Sequence, residues 1–286
     1  YDITTKIKKM VDSQKESIGI IQRSSQVDIK IENITQILRE RYNVRSTNLS
    51  QVISDDISLL LMNGVEDSLT ADEKQNLENF ISRGGNLLLS QNHIKIDLAT
   101  QQAIPIVSDI FSLLESYSIK IVSNLVMDQN CGKVNVQQNL GFIRIPVPMD
   151  YPFLPIIKKD YFNDEITLVN GLESLRLMFP SEIILLDTSI VSENIVVTPL
   201  FTSSNRSTTM EEFFNLSPDP QQNPFIRMLG QKGKILAATS KLVNGGELML
   251  ISDSKFLADD AGMSVNDNLI FLMNAVDYLA GDEDLI

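Results

Sequence analysis

Three aspartates, one cysteine and one histidine carry most of the chemistry open to this sequence. Asp128, Asp187 and Asp253 each close an apolar run: IVSNLVM, IILL and LMLIS. In an open α/β sheet, ligands bind outside the carboxyl ends of the strands. Three carboxylates converging there could hold Mg²⁺ or Ca²⁺. The competing role is local, because an aspartate after a strand often caps the next turn or helix. On that ground no metal and no cofactor is assigned. Asn92 and His93 follow the run Leu87–Leu89, and Ser254 follows Asp253. Asn92, His93, Asp128, Asp253 and Ser254 therefore form the candidate cleft for a ligand or partner.

Cys131 and His93 are the only residues of their kinds. Together they would be the nucleophile and base of a hydrolase, which needs the two within hydrogen-bond reach and an oxyanion hole beside them. Cys131 lies in the polar run Asp128-Gln129-Asn130-Cys131-Gly132. That run lacks the small-residue elbow that turns a strand sharply into a helix, so an incidental thiol is expected and no catalytic residue is assigned. A single Cys and a single His also exclude an intramolecular disulfide and a Cys/His zinc cluster. Thr202, Ser203, Ser204 and Ser207 with Arg206 make a hydroxyl cluster that could bind an anion, but a solvated loop is the expectation. Gly84-Gly85 and Gly245-Gly246 match neither the dinucleotide nor the Walker phosphate pattern. The first pair reads as a helix stop and the second as a turn.

The elements that would position these residues alternate. Ile3–Val11 has helical spacing, Ser17–Ile21 is a short β-branched run, and Ile34, Ile37, Leu38 and Tyr42 share a helical face. Asn43–Leu49 and the continuous apolar run Ile57–Met62 read as strands, the second covered on both faces. Thr70-Ala71-Asp72-Glu73 is a capping box opening a helix with Leu77, Phe80 and Ile81 on its buried stripe. Leu87–Leu89 is the next strand. Pro105 is placed near a helix start, with Val107, Ile110, Phe111, Leu114 and Tyr117 as that helix's apolar face. Ile119–Met127 reads as one further strand.

Strands alternating with helices imply a mostly parallel, doubly wound sheet with right-handed crossovers. Residues 134–225 differ: they are β-rich and loop-rich, and Pro146, Pro148, Pro152 and Pro155 keep part of them out of helix and out of a central strand. Glu182–Leu186 and Ile195–Phe201 read as strands, and Leu216–Pro224 as an exposed loop. Residues 232–286 return to the main sheet through Gly233–Ala238, a turn at Asn244-Gly245-Gly246, Glu247–Ile251 and a last helix carrying Leu269, Leu272, Met273, Val276 and Leu279. The expectation is one α/β domain over 1–286 with 134–225 inserted.

Composition narrows the function. The chain has 286 residues, 43% of them apolar, with 24 Lys and Arg against 37 Asp and Glu, a formal net charge of −13. It is long enough to bury a core, and its acidic balance argues against nucleic acid or an anionic membrane surface as partner. No apolar run approaches the roughly 18–20 residues that span a bilayer. The chain opens at Tyr1 rather than Met and is read as a piece of a longer protein, with any membrane anchor expected outside it.

Several blocks together resemble a known family. Leu59–Gly64, Leu69–Glu73 and Phe80–Leu89 match an apolar strand, a Leu-Ser/Thr-x-x-Glu helix start and an Arg-Gly-Gly-x-Leu-Leu stop and strand. Tyr117–Ile121, Leu125–Asp128, Thr198–Ser204, Ile251–Leu257 and Asn268–Asp282 follow in the family's order. This set resembles the gliding-motility GldG-type proteins, the ABC-transporter auxiliary family. Three positions depart from the pattern: Ser252 stands for a glycine, Tyr278 for a tryptophan, and Gln91-Asn92 for Asp-Pro. The resemblance implies a class I glutamine-amidotransferase-like or trehalose-utilisation-like fold without catalytic residues. It also implies an extracytoplasmic, periplasmic domain of the bacterial inner membrane, anchored by transmembrane helices and associated with an ABC permease and ATPase. The expected function is a non-enzymatic accessory domain in gliding motility or secretion. A solute- or glycan-binding domain, or a hydrolase using Cys131 and His93, are the alternatives. Oligomeric state is left open.

Overall fold

The computed structural model describes residues 15–21, 23, 30–140, 143–188, 194–243 and 245–281. The expected helix Ile3–Val11 and the turn residue Asn244 lie outside them. In chain order the elements are β1 (Ser17–Ile21), α1 (Glu32–Arg41), β2 (Asn43–Thr47), β3 (Ile57–Asn63), α2 (Ala71–Ser82), β4 (Asn86–Ser90), β5 (Ile94–Asp97), β6 (Gln102–Pro105) and α3 (Ile110–Ser116). They continue with β7 (Ile119–Ile121), β8 (Asn124–Asp128), β9 (Cys131–Leu140), β10 (Ile143–Lys158), β11 (Ser174–Arg176), β12 (Ile183–Leu185), β13 (Ile195–Thr202) and β14 (Ser207–Glu211). The last are β15 (Ile235–Leu242), β16 (Glu247–Ile251) and α4 (Asn266–Leu279).

The main sheet has the order β2-β1-β3-β4-β16-β15-β12-β7, with β13 also on β15. Strands β2, β1, β3, β4 and β16 are mutually parallel. The far side is antiparallel, from β15 on β16 to β7 on β12. The sheet is thus mostly parallel and doubly wound, as the alternation of patterns requires. Its apolar strands need cover on both faces. On one face Ile34 and Leu38 of α1 pack with Phe271, Leu272, Ala275 and Val276 of α4. On the other, Leu77, Phe80 and Ile81 of α2 pack with Ile110, Leu113 and Leu114 of α3.

The capping box of α2 is present: Glu73 N donates to Thr70 Oγ1 at 3.2 Å, and Thr70 N donates to Glu73 Oε2 at 2.8 Å. Gly84 closes the helix with φ +101°, the left-handed region that glycine enters without a Cβ clash. The two glycine pairs also meet. Gly246 N donates to Ile81 O at 2.8 Å, and a Cβ on Gly246 would lie 1.8 Å from Gly85 O. Backbone therefore packs on backbone where the β15–β16 hairpin crosses the end of α2. Gly246→Ala is expected to cost about 1–3 kcal/mol of stability, the usual range for overpacking a closed site. Urea unfolding measures it, and a change below 0.5 kcal/mol, the scale of neutral surface changes, would contradict this contact.

Four local expectations need correction. Ile119–Met127 is not one strand: β7 ends the main sheet, and after Val122 and Ser123 the chain leaves it, so that β8 pairs antiparallel with β14. Pro105 does not start a helix but ends β6, which pairs with β5; α3 begins at Ile110, and Val107 is 86% exposed rather than on its apolar face. Leu216–Pro224 is not simply exposed, since Leu216 and Asn223 are buried and Asn223 Nδ2 donates to the Asn215 and Ser217 carbonyls. Finally, two strands within 134–225, β12 and β13, pair in the main sheet, so that stretch is woven into the sheet. Its prolines lie on β10, the middle strand of a three-stranded sheet, which pairs with β9 along its first half and with β11 at its end, so that Pro146 and Pro148 have β9 alone beside them while Pro155 has neighbours on both sides.

Candidate functional site

Parallel β3, β4 and β16 deliver their carboxyl ends to one edge, where the chain turns away with Asn63-Gly64, Ser90-Gln91-Asn92-His93 and Ser252-Asp253-Ser254. These ends are tied to each other first. Ser90 Oγ donates to the Asp253 carbonyl. Gln91 Oε1 accepts from Val65 N, and its Nε2 donates to Val65 O at 3.2 Å and Asn92 O at 2.6 Å. Gly64 is glycine because Ser254 presses on it: a Cβ there would stand 2.7 Å from Ser254 Cβ.

A segment from far along the chain then covers the edge. The Asp253 carboxylate, fully buried, accepts from Met178 N and Lys255 N, both at 2.8 Å. Asn92 Nδ2 donates to Phe179 O at 3.1 Å, and His93 N donates to Ser181 Oγ at 3.0 Å. Ser181 N donates to Ser252 O at 3.2 Å, while Ser181 Oγ donates to Asn124 O at 2.7 Å. On its other side the segment is fastened to β10 by Leu177 N to Pro155 O and Phe179 N to Phe153 O. Phe179 has φ +52°, a conformation that costs a non-glycine residue about 1–2 kcal/mol. Its ring, 5.9 Å from both Tyr151 and Phe153, holds it there.

Four of the five candidate residues, Asn92, His93, Asp253 and Ser254, are thus brought together, but against the protein's own chain. Asn92 Oδ1 and Ser252 Oγ are buried there without a hydrogen-bond partner. The His93 ring stacks on Phe111 at 3.8 Å, nearly parallel, and burial holds its pKa below the usual imidazole value. Burial pushes the Asp253 carboxyl up to about 7, against the pull of the two amides and the Lys255 charge.

Asp128 is elsewhere. At the end of β8 it is held by Ser204 N and Ser204 Oγ, at 2.5 and 2.7 Å, and by Asn130 N at 2.8 Å. Burial raises its pKa while those hydrogen bonds lower it. Asp187, after β12, is exposed. Among the described residues no three of His, Cys, Asp and Glu could hold a metal ion. The hydroxyl cluster is not a solvated loop: Ser203, Ser204 and Ser207 are buried, with Ser203 Oγ donating to Ser207 Oγ at 2.9 Å. They brace the β13–β14 turn against Asp128. Cys131 begins β9, opposite Pro155 of β10. Burial first, and the Asp150 charge second, push its thiol up to about 11, away from the thiolate form that attacks carbonyls. No hydrogen bond joins it to His93.

The residues missed in the sequence are Met178, Phe179 and Ser181. The run Phe179-Pro180-Ser181 carries a turn-like signal, but nothing local says which strand ends it will cover.

Comparison with known proteins places the chain. The family model described as ABC-type uncharacterized transport system matches residues 15–275. An uncharacterized protein of Borreliella burgdorferi is 22% identical over 277 residues, covering 88% of this chain and 53% of its own length. This chain therefore spans about half of that curated relative. Among solved structures, the mmIFT52 N-terminal domain superposes with a TM-score of 0.61 at 12% identity, over 93% of this chain and 98% of its own. A putative ThuA-like protein from Bacteroides uniformis gives 0.51 at 10% identity, over 94% and 93%. One from Parabacteroides merdae gives 0.50 at 11% identity, over 94% and 91%. These structural likenesses carry the fold, and the ThuA-like pair fits the amidotransferase-like expectation.

Proposed function

This chain belongs to the ABC-type uncharacterized transport system family, and from that premise we propose that it is a non-enzymatic accessory domain working by contact. Its place is the periplasmic face of the bacterial inner membrane, held there by anchors in the full-length protein. Its partners are the permease and ATPase of an ABC-type system serving gliding motility or secretion. The observation that supports the contact reading is the covered strand edge. Where open α/β sheets receive small ligands, Asp253, Asn92 and the His93 amide instead grip Met178, Phe179 and Ser181. An acidic surface suits a domain that remains dispersed between its contacts.

The test is purification of the tagged full-length protein from native membranes in mild detergent, with mass spectrometry of what accompanies it. An ABC permease and ATPase recovered together, at amounts comparable to the bait, are the expected result. A bait that emerges alone, and from the soluble fraction, would sink the accessory reading.

A further inference from the structure

Strands β9 and β10 form a long ribbon, paired from Leu140↔Ile143 to Lys133↔Asp150. Side chains alternate across it. One face carries Val134, Val136, Ile145, Val147 and Met149, each only half-buried. The other carries Asn135, Gln137, Pro146 and Pro148, all exposed. Val134, at the ribbon's base, packs on the core, but a two-stranded ribbon whose apolar face is only half covered is marginal by itself in water. It gains from a third strand.

Its two edges are not equivalent. Pro146 faces Gln137 and Pro148 faces Asn135. A proline has no N–H to give, so these are the non-hydrogen-bonded pairs, whose backbone groups point outward. The outer edge of β10 therefore lacks donors at 146 and 148, a common way of blunting an edge. On β9 the matching residues, Lys133, Asn135 and Gln137, keep their outward N–H and C=O groups. Strand β9 is the terminal strand of its sheet. One edge is blocked and the other is ready to pair.

The start of β9 opens on a groove of about 450 Å³ at the ribbon's base, whose lining includes Cys131, Met149, Asp150, Leu229, Arg206 and Arg227; the Asp150 carboxylate there is paired with Lys133, at 3.4 Å, and with neither arginine. Met149 links this groove to the ribbon's apolar face. Both arginines are exposed, and neither has an ion pair among the described residues, although the chain carries a net charge of −13. The Arg227 Nη2 group donates only to Gln221 Oε1, at 3.1 Å. Two unpaired guanidiniums at one groove of an acidic protein call for carboxylates.

We propose that β9 receives an extended peptide segment of a partner protein as an added strand, apolar at alternate positions, with an acidic residue at one end seated between Arg206 and Arg227. Main-chain pairing supplies affinity in this mode, and the alternate side chains and the acid supply selectivity. A second copy of the chain is disfavoured as occupant by the charge both copies would bring together. This inference rests on the contact reading above, but its test needs no transporter, so the two can fail separately.

The test is selection from a phage-displayed random dodecapeptide library against the whole chain, for the wild type, Gln137→Pro, and the double variant Arg206→Ala/Arg227→Ala. Recovered peptides are expected to alternate apolar and polar residues and to carry Asp or Glu near one end. Gln137→Pro removes one outward donor and should recover none above background; Asn135→Pro removes its neighbour and replaces it if thermal melting shows the first misfolded. The arginine variant should bind the wild-type winners about tenfold more weakly, the scale of one lost charged hydrogen bond, and lose the preference for acid. Winners without alternation, equal binding by the proline variants, or an unchanged acid preference would overturn the proposal. So would a dimer in solution that Gln137→Pro dissolves.

Discussion

Asp253→Asn is expected to flatten the pH dependence of stability between pH 4 and 8. The Asp253 carboxyl is wholly buried and titrates near 7 in the folded chain, against 3.8 for an exposed aspartate. Desolvation is the main cause, because a charge in a low-dielectric interior is costly. Between those two pH values the folded state binds a proton that the unfolded state does not. Stability therefore falls as the pH rises through that window, and the change amounts to about 4 kcal/mol. Asparagine cannot ionise. It keeps one acceptor for the amide of Met178 or Lys255 and loses the other, so the variant starts weaker at pH 4.5. From pH 4.5 to pH 8 the gap between the two proteins should then shift by about 3 kcal/mol in favour of asparagine. His93, whose pKa lies below its usual value, contributes with the opposite sign, losing stability as the pH falls, but it is common to both chains. Urea unfolding at several pH values gives the two curves, and parallel curves would show that Asp253 does not carry this dependence.

Asp277→Ala should be the most damaging single change between the two helices that share a face. Asp277, in α4, is fully buried; Arg41 Nη2 at the end of α1 lies 2.8 Å from its Oδ2, and the Tyr42 hydroxyl donates to its Oδ1. Arg41 is itself 13% exposed. Removing the carboxylate strands a nearly buried guanidinium and a buried hydroxyl, and breaking a buried pair from one side costs about 3–5 kcal/mol. Asp277→Asn retains an acceptor for Tyr42 and should fall between the wild type and alanine. The measurement is urea unfolding at pH 7, where a loss below 1 kcal/mol for alanine would rule out a buried pair. Since α1 and α4 cover the same side of the sheet, the loss should also speed hydrogen exchange in β1 and β3 beneath them.

The strands Ser17–Ile21, Ile57–Asn63 and Glu247–Ile251, the capped start of α2, its glycine stop and the last helix were all legible along the chain. Each follows from a pattern that lies within about ten residues: an unbroken apolar run, a Thr and Glu three apart, or a period near 3.6. Alternation of these patterns was enough for a mostly parallel, doubly wound sheet. The strand-end positions of Asn92, His93 and Asp253 were legible for the same reason. What those residues do was not. Asn92 meets Phe179 across 87 residues and Asp253 meets Met178 across 75, and no local period encodes such a pairing. The break in Ile119–Met127 is likewise invisible, since both halves are equally apolar and only their partners, β12 and β14, differ. Ser203, Ser204 and Ser207 have the composition of a solvated loop, and are buried because Asp128 offers its carboxylate to the Ser204 amide and hydroxyl. Local sequence thus determined which segments are strand or helix and which residues end them. Tertiary structure alone decided which strand ends are covered, because a buried polar group must find its partner wherever the fold brings one.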